Sequence, residues 1–472
     1  MLESVSSSLC DLSSAELARL IRERDLTALE VTEAHLERIA EANPKVNAIV
    51  TLTADRALAQ AAEADRLMAA GFAPGPLHGL PVVHKDLQPT RGVRTTFGSR
   101  IFADFIPDFD SLLVERVRNA GGIALGKTNT PEFGAGSQTF NEVFGPTLNP
   151  RDTAKTCGGS TGGGAVALAC GMAALADGSD LGGSLRNPAS FCGVVGMRPS
   201  AGRVPKWPNP FAWLPLSVEG PMARTVEDAA LFLSALAGPD PRAPLSLPEP
   251  GSRFAASLGR DFNGVRVAWW KDLGGIPVDP EVRNVTNAQR ALFESLGCIV
   301  EEAEPSFGDV DWTFRTLRFW MTLAHLGPTA RRYPDLIKDA IHWEIEQASK
   351  ATAADIGLAH IRLGEIRERM ARFMERYEFF VLPVSQLPPF DVTLPWPREV
   401  DGTKLETYID WMKSCYYIST TGVPAISVPC GFTAQGLPIG LQIAGRHNDD
   451  FGLLRIARAF EQARNLTGRG QI

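Results

Sequence analysis

The chain has 472 residues, 44% hydrophobic and 21% charged, with a formal net charge of −7; this is a globular balance, long enough for one large domain or several average ones. So small a charge on so long a chain, with no Lys/Arg-rich run, excludes nucleic acid and anionic membranes as bulk electrostatic partners. The longest apolar stretches reach only about 12 residues, too short to span a bilayer.

The opening stretch, MLESVSSSLCDLSSAEL, has no basic region followed by an apolar one, so it does not read as a signal peptide. The seven cysteines (10, 157, 170, 192, 298, 415 and 430) form no CxxC pair, and the seven histidines show no HExxH spacing. Reduced thiols in the cytoplasm are expected, without a disulfide frame, metal centre or cofactor.

In chain order, residues 12–42 predict two helices, with Ser13/Glu16 and Thr27/Glu30 at capping-box spacing ahead of apolar positions. An alanine-rich helix follows over about 54–70. The run LHGLPVVHKDL (77–87) predicts a buried strand ending in charge at His84, Lys85 and Asp86. Residues 111–120 predict a helix and GGIALGKTN a short strand. A loop-rich segment then carries Phe133, Phe140 and Phe144. A helix is expected from Thr225. The proline-rich segment 239–251 is expected to be a surface connector. Beyond it, 265–270, a helix over 280–296, and 298–303 make a βαβ-like unit. An amphipathic helix spans 353–377, strands follow at 379–385, 425–432 and 439–445, and a last helix starts near 449. The expected fold is α/β, a large mixed β-sheet core covered by helices on both sides. It is read as one domain: an N-terminal helical segment (1–70), a core (76–235), the connector, and an α/β part over 264–472.

The stretch from Thr156 to Pro199 is the least ordinary. It holds two serines in glycine-rich loops, Ser160 in GGSTGGG and Ser184 in DLGGSLRNPA, around small residues from Ala165 to Ala176. Glycines crowd a hydroxyl only where backbone must approach something closely. Three readings follow. Gly121 to Thr128 matches the P-loop pattern, although Ile123, Ala124 and Leu125 fill its interior with strand-like residues. Gly158 to Gly162 fits a GxSxG elbow, with Ser160 as nucleophile and His325, His342, His360 or His447 as base. In the third, Ser184 attacks, the backbone N–H groups of Leu181, Gly182, Gly183 and Ser184 receive an oxyanion, and Lys85 serves as base through Ser160. A lysine needs a pKa about 3 units below its reference to be neutral near pH 7, which burial without a carboxylate partner achieves. Asp86 must then point elsewhere.

With these motifs in view, the chain resembles the amidase signature family of serine amidohydrolases. The matching stretches are 77–87, 120–133, CGGSTGGGAVALACG (157–171) and DLGGSLRNPASFCGVVGMRPS (180–200), with GPMARTVEDAA (220–230) and 422–445 outside the signature. The resemblance implies a Ser–cis-Ser–Lys triad: Ser184 as nucleophile, Ser160 as relay after a cis bond from Gly159, and Lys85 as base. It puts Thr161 where the family often has a second serine. Asp180 and Arg186 are expected to pair across the oxyanion loop. Phe97, Phe133, Gly134, Phe140, Phe144 and Trp213 are expected to line an apolar pocket. The activity implied is hydrolysis of a small or moderately hydrophobic amide or anilide, with esters and carbamates (urethanes) as further substrates, by a monomer or homodimer. The alternative within the family is the glutamine-hydrolysing subunit of a tRNA-dependent amidotransferase.

Overall fold

A computed structural model describes residues 9–72 and 75–464. The first eight residues, where the signal-peptide reading begins, lie outside them. Ser13 and Thr27 both cap helices, α1 (Ser14–Glu23) and α2 (Ala28–Val46). Only Thr27 completes a capping box with its Glu30. Glu16 spends its carboxylate on Arg19 instead, leaving Ser13 to accept from the Glu16 amide alone. The alanine-rich α3 (Ala54–Ala69) packs against α2 through residues small enough for close approach.

The core is an 11-stranded mixed sheet. Its strands in chain order are β1 (Ile49–Leu52), β2 (Pro81–Lys85), β3 (Ile123–Thr128), β4 (Leu175–Asp180), β5 (Val195–Arg198), β6 (Val218–Ala223), β7 (Arg266–Trp269), β8 (Ile299–Glu302), β9 (Phe379–Pro383), β10 (Ala425–Phe432) and β11 (Pro438–Ala444). In space they run β1-β3-β2-β4-β6-β5-β10-β11-β9-β7-β8. The six strands before residue 224 thus fill one side of the sheet and the five after residue 265 the other, joined where β5 pairs antiparallel with β10. The mixed α/β architecture is the one expected from alternating strands and helices. Strands β2, β9 and β5 are buried at every position, consistent with a sheet sandwiched by other elements.

Two departures from the expected elements have local causes. The helix read over 280–296 is two, Pro280–Asn287 and Arg290–Ser295, with a break at Ala288 and Gln289. Gly121 to Thr128 is no phosphate loop: its Ile-Ala-Leu interior is β3, and Lys127 is buried, its Nζ donating to the Gln88 carbonyl and to Thr90 Oγ1 at 3.0 Å. The spacing fits the pattern, but its residues pair into a sheet.

Each serine loop leads into a short helix, Gly162–Ala169 after Ser160 and Arg186–Cys192 after Ser184. The first begins with three glycines, and neighbouring atoms crowd two of them, Gly162 and Gly163. A Cβ on Gly163 would lie 2.4 Å from the Asn129 nitrogen, and one on Gly162 2.3 Å from Thr139 Oγ1. No larger residue fits without moving β3's end. All seven cysteines are buried and free. Among the described residues no helix is long and apolar enough to cross a membrane.

Candidate active site

Strand β2, third from one edge of the sheet, ends on Lys85, which has no exposed surface. Its amide donates to Asp177 Oδ1 at 3.0 Å, while His84 Nδ1 engages the other oxygen of Asp177, so the strand end is clamped to β4. The side chain meets three hydroxyls: Ser160 Oγ at 2.8 Å, Thr161 Oγ1 at 2.9 Å and Ser179 Oγ at 3.2 Å. Among the described residues no carboxylate comes within ion-pair distance of it. Asp86 turns away, accepting from the amide and hydroxyl of Thr96. Burial pushes the Lys85 pKa down to about 7, against the opposing pull of Asp180 and Asp177. A neutral amine in that setting can donate two hydrogen bonds and accept one, which is what a proton acceptor for Ser160 requires.

The Gly159–Ser160 peptide is cis. Thr139 staples this loop on both sides, donating its hydroxyl to the Gly158 carbonyl at 2.8 Å and accepting from the Gly162 amide at 3.1 Å. Gly159 packs so tightly that a Cβ there would sit 2.9 Å from the Gln138 carbonyl carbon. The amide of Thr161 donates to the Ser184 carbonyl at 3.2 Å, which joins the two serine loops directly.

The Ser184 loop wraps the Asp180 carboxylate. Asp180 accepts from the Gly183 amide at 2.9 Å and the Leu185 amide at 3.2 Å. Arg186 forks onto the same carboxylate at 3.0 and 2.9 Å, and both side chains are fully buried. Burial alone would raise the Asp180 pKa, but Arg186 and Arg198 outweigh it and hold the carboxyl well below the usual range. This corrects one detail of the expected oxyanion loop: the Gly183 amide is committed to Asp180. Those of Leu181, Gly182 and Ser184 have no partner among the described residues. Replacing Arg186 by Met should cost about 3–5 kcal/mol, because the buried Asp180 loses its bidentate partner. The shift of a denaturant midpoint checks this, and a loss below about 1 kcal/mol would contradict it.

Ser160, Ser179 and Ser184 open on a cavity of about 630 Å³. Of the residues expected to line it, Phe97, Phe133 and Gly134 do. Phe140, Phe144 and Trp213 do not. Phe140 is 41% exposed on a two-residue strand, Phe144 lies under the Arg94 guanidinium, and Trp213 is 76% exposed. The remaining wall comes from sites far apart in sequence, including Phe102, Phe105, Trp207, Phe211, Met321 and His325. His325 is thus the one of the four considered histidines that reaches the cavity lining, where burial lowers its pKa. Sequence reasoning misses the polar part of this wall, Ser179 and Glu219 included.

The family model described as Amidase matches residues 30–454. The chain belongs to the amidase signature family. An acylamidase from Rhodococcus erythropolis is 38% identical over 467 residues, covering 96% of this chain and 95% of the relative. A glutamyl-tRNA(Gln) amidotransferase subunit from Synechococcus sp. (strain CC9605) is 36% identical over 479 residues, 96% of each chain. Among solved structures, a bacterial aryl acylamidase of the amidase signature family superposes with a TM-score of 0.89 at 28% identity, covering 96% of both chains. A 6-aminohexanoate cyclic dimer hydrolase superposes at 0.85 with 25% identity, covering 97% of this chain and 98% of the other. This amidase is a hydrolase of carbon–nitrogen bonds.

Proposed function

We propose that this amidase cleaves acyl amides and anilides of small or moderate size and apolar character through an acyl-enzyme on Ser184. The observation that carries the reading is the buried Lys85, with no ion-pairing carboxylate among the described residues, hydrogen-bonded to Ser160 on a loop that is itself bonded to the Ser184 loop. Neutral Lys85 takes the Ser160 proton as Ser160 takes that of Ser184. The Ser184 oxygen then bonds to the substrate carbonyl carbon. The negative charge moves to the carbonyl oxygen, where the Leu181, Gly182 and Ser184 amides can receive it. Collapse of this adduct breaks the C–N bond, and the relay returns its proton to the leaving amine. Water, deprotonated by the same relay, then splits the ester and restores Ser184.

The aromatic walls favour aryl or alkyl groups on either side of the bond, and esters or carbamates suit the same cycle. The acylamidase and aryl acylamidase relatives point the same way. A fluorophosphonate or sulfonyl fluoride should label Ser184, and the isolated chain should turn over members of an amide, anilide, ester and carbamate panel. The likeness to amidotransferase subunits gives the second reading, glutamine hydrolysis within a larger assembly. That reading is favoured only if the isolated chain is labelled yet idle on every simple amide and becomes active with partner subunits.

A further inference from the structure

Glu219 sits on β6 directly across from Ser179 on β4, so the two side chains emerge on the same face of the sheet and both line the cavity. Ser179 holds Lys85; Glu219 faces the substrate space beside it. It is only 4% exposed. One carboxylate oxygen, Oε1, accepts from Gln88 Nε2 at 3.0 Å. The other, Oε2, is buried and has no partner among the described residues. Lys206, also on the cavity wall, does not supply one: its Nζ donates to Ser217 Oγ at 3.3 Å, and no ion pair forms with Glu219.

A buried carboxylate oxygen left unpaired is costly to folding, and such groups ask for a reason. The mechanism above gives Glu219 no task either, since it lies outside the relay from Lys85 through Ser160 to Ser184.

We propose that Glu219 is a specificity-determining residue, selecting amides that carry a second hydrogen-bond donor, an amine or a further N–H, beyond the bond that is cleaved. The inference rests on the cavity being the substrate site proposed above. An ionised carboxylate only accepts, so it recognises N–H and rejects a methyl group of the same size. Sites that hydrogen-bond a substrate group discriminate strongly against the analogue lacking it, because the protein group is then stranded. Burial raises the Glu219 pKa, while Lys206 and the Gln88 amide work to keep the charged form. With Oε1 held by Gln88, Oε2 is the oxygen left for a substrate, and its small accessible surface means that the carboxylate must turn to present it.

Glu219→Gln is the informative change. Gln88 Nε2 still needs an acceptor, so the new amide turns its oxygen to Gln88 and its NH2 to the cavity, offering a donor where the wild type offers an acceptor. Two matched pairs are assayed: 4-aminoacetanilide against 4-methylacetanilide, and 5-aminopentanoyl anilide against hexanoyl anilide. The first places the amine on the leaving group and the second on the acyl chain. The ratio of kcat/KM values within each pair, compared between wild type and variant, cancels intrinsic reactivity. Preference for the amine should fall at least about tenfold in one pair, and the pair that responds identifies the side of the substrate that meets Glu219. Ratios within about twofold of wild type in both pairs overturn the inference, as does an equal fall on all substrates, the signature of an effect through Lys85. If wild type hydrolyses none of the four, the inference falls together with the proposed function. Glu219→Asp, which withdraws the carboxylate by one methylene, is read in the same way if the Gln variant does not fold.

Discussion

Exchanging Ser184 for alanine is expected to lower kcat/KM on any accepted amide by about ten-thousandfold or more, with the fold intact. The hydroxyl is partly exposed at the cavity and makes no hydrogen bond within the described chain, so removing it leaves no buried group stranded. Thermal unfolding should therefore move little, while labelling by the fluorophosphonate disappears. Ser160→Ala makes the useful contrast, since it strips Lys85 of its 2.8 Å partner and breaks the relay without touching the attacking atom. Residual activity of the Ser184 variant within about tenfold of wild type would sink the assignment and return Ser160 to consideration as nucleophile.

Lys85→Met should cost about a hundredfold to ten-thousandfold in kcat/KM and change the shape of the pH profile. In the wild type the active form is the neutral amine, and burial places its pKa at about 7. Activity should rise with pH through that value and level off above it. In the methionine variant this limb should vanish. Stability offers an independent check. The unfolded lysine keeps its ordinary proton affinity, so between about pH 7 and the usual lysine range near 10.4 the unfolded chain binds more protons than the folded one. The lysine's contribution to stability therefore climbs with pH across that window, and the penalty of burying it is greatest at and below pH 7. The variant lacks that slope. A wild-type profile flat from pH 6 to 8 would remove Lys85 from the base's role.

The parts of this structure legible in the sequence are those that depend on near neighbours. Capping residues placed α1 and α2, and the apolar run into His84-Lys85-Asp86 marked β2 and its charged end. The glycine loops marked both serines, because close backbone approach leaves a compositional trace. Strands β4 and β6 leave none: LADGSD and VEGPMA are too small and too polar to look like core, and they are strands because the sheet closes around them. Helix identity survived better than helix continuity, as the break at Ala288 shows. The cavity was least readable. Its walls are drawn from many separate segments between Leu87 and Met412, and aromatic identity does not reveal which way a ring points. Phe211 lines the cavity while Trp213, two residues on, faces solvent. Gly183 teaches the same lesson on a smaller scale: its place in the loop suggested an oxyanion donor, yet the Asp180 carboxylate claims its amide.

The strand order has a consequence for how the protein is made. Six strands of the sheet are complete once the chain has reached Ala223, but the outer neighbour of β5 is β10, which begins at Ala425. On a ribosome adding about 5–20 residues per second, the backbone of Val195–Arg198 waits about 10 to 45 seconds for that partner. During this interval a nascent chain carries a bare, apolar sheet edge, a template for pairing with the wrong strand. Yield of active enzyme should therefore be governed less by final stability than by what shields that edge during translation. Lower growth temperature, chaperone supply and codon choice between residues 224 and 425 become the practical handles on expression.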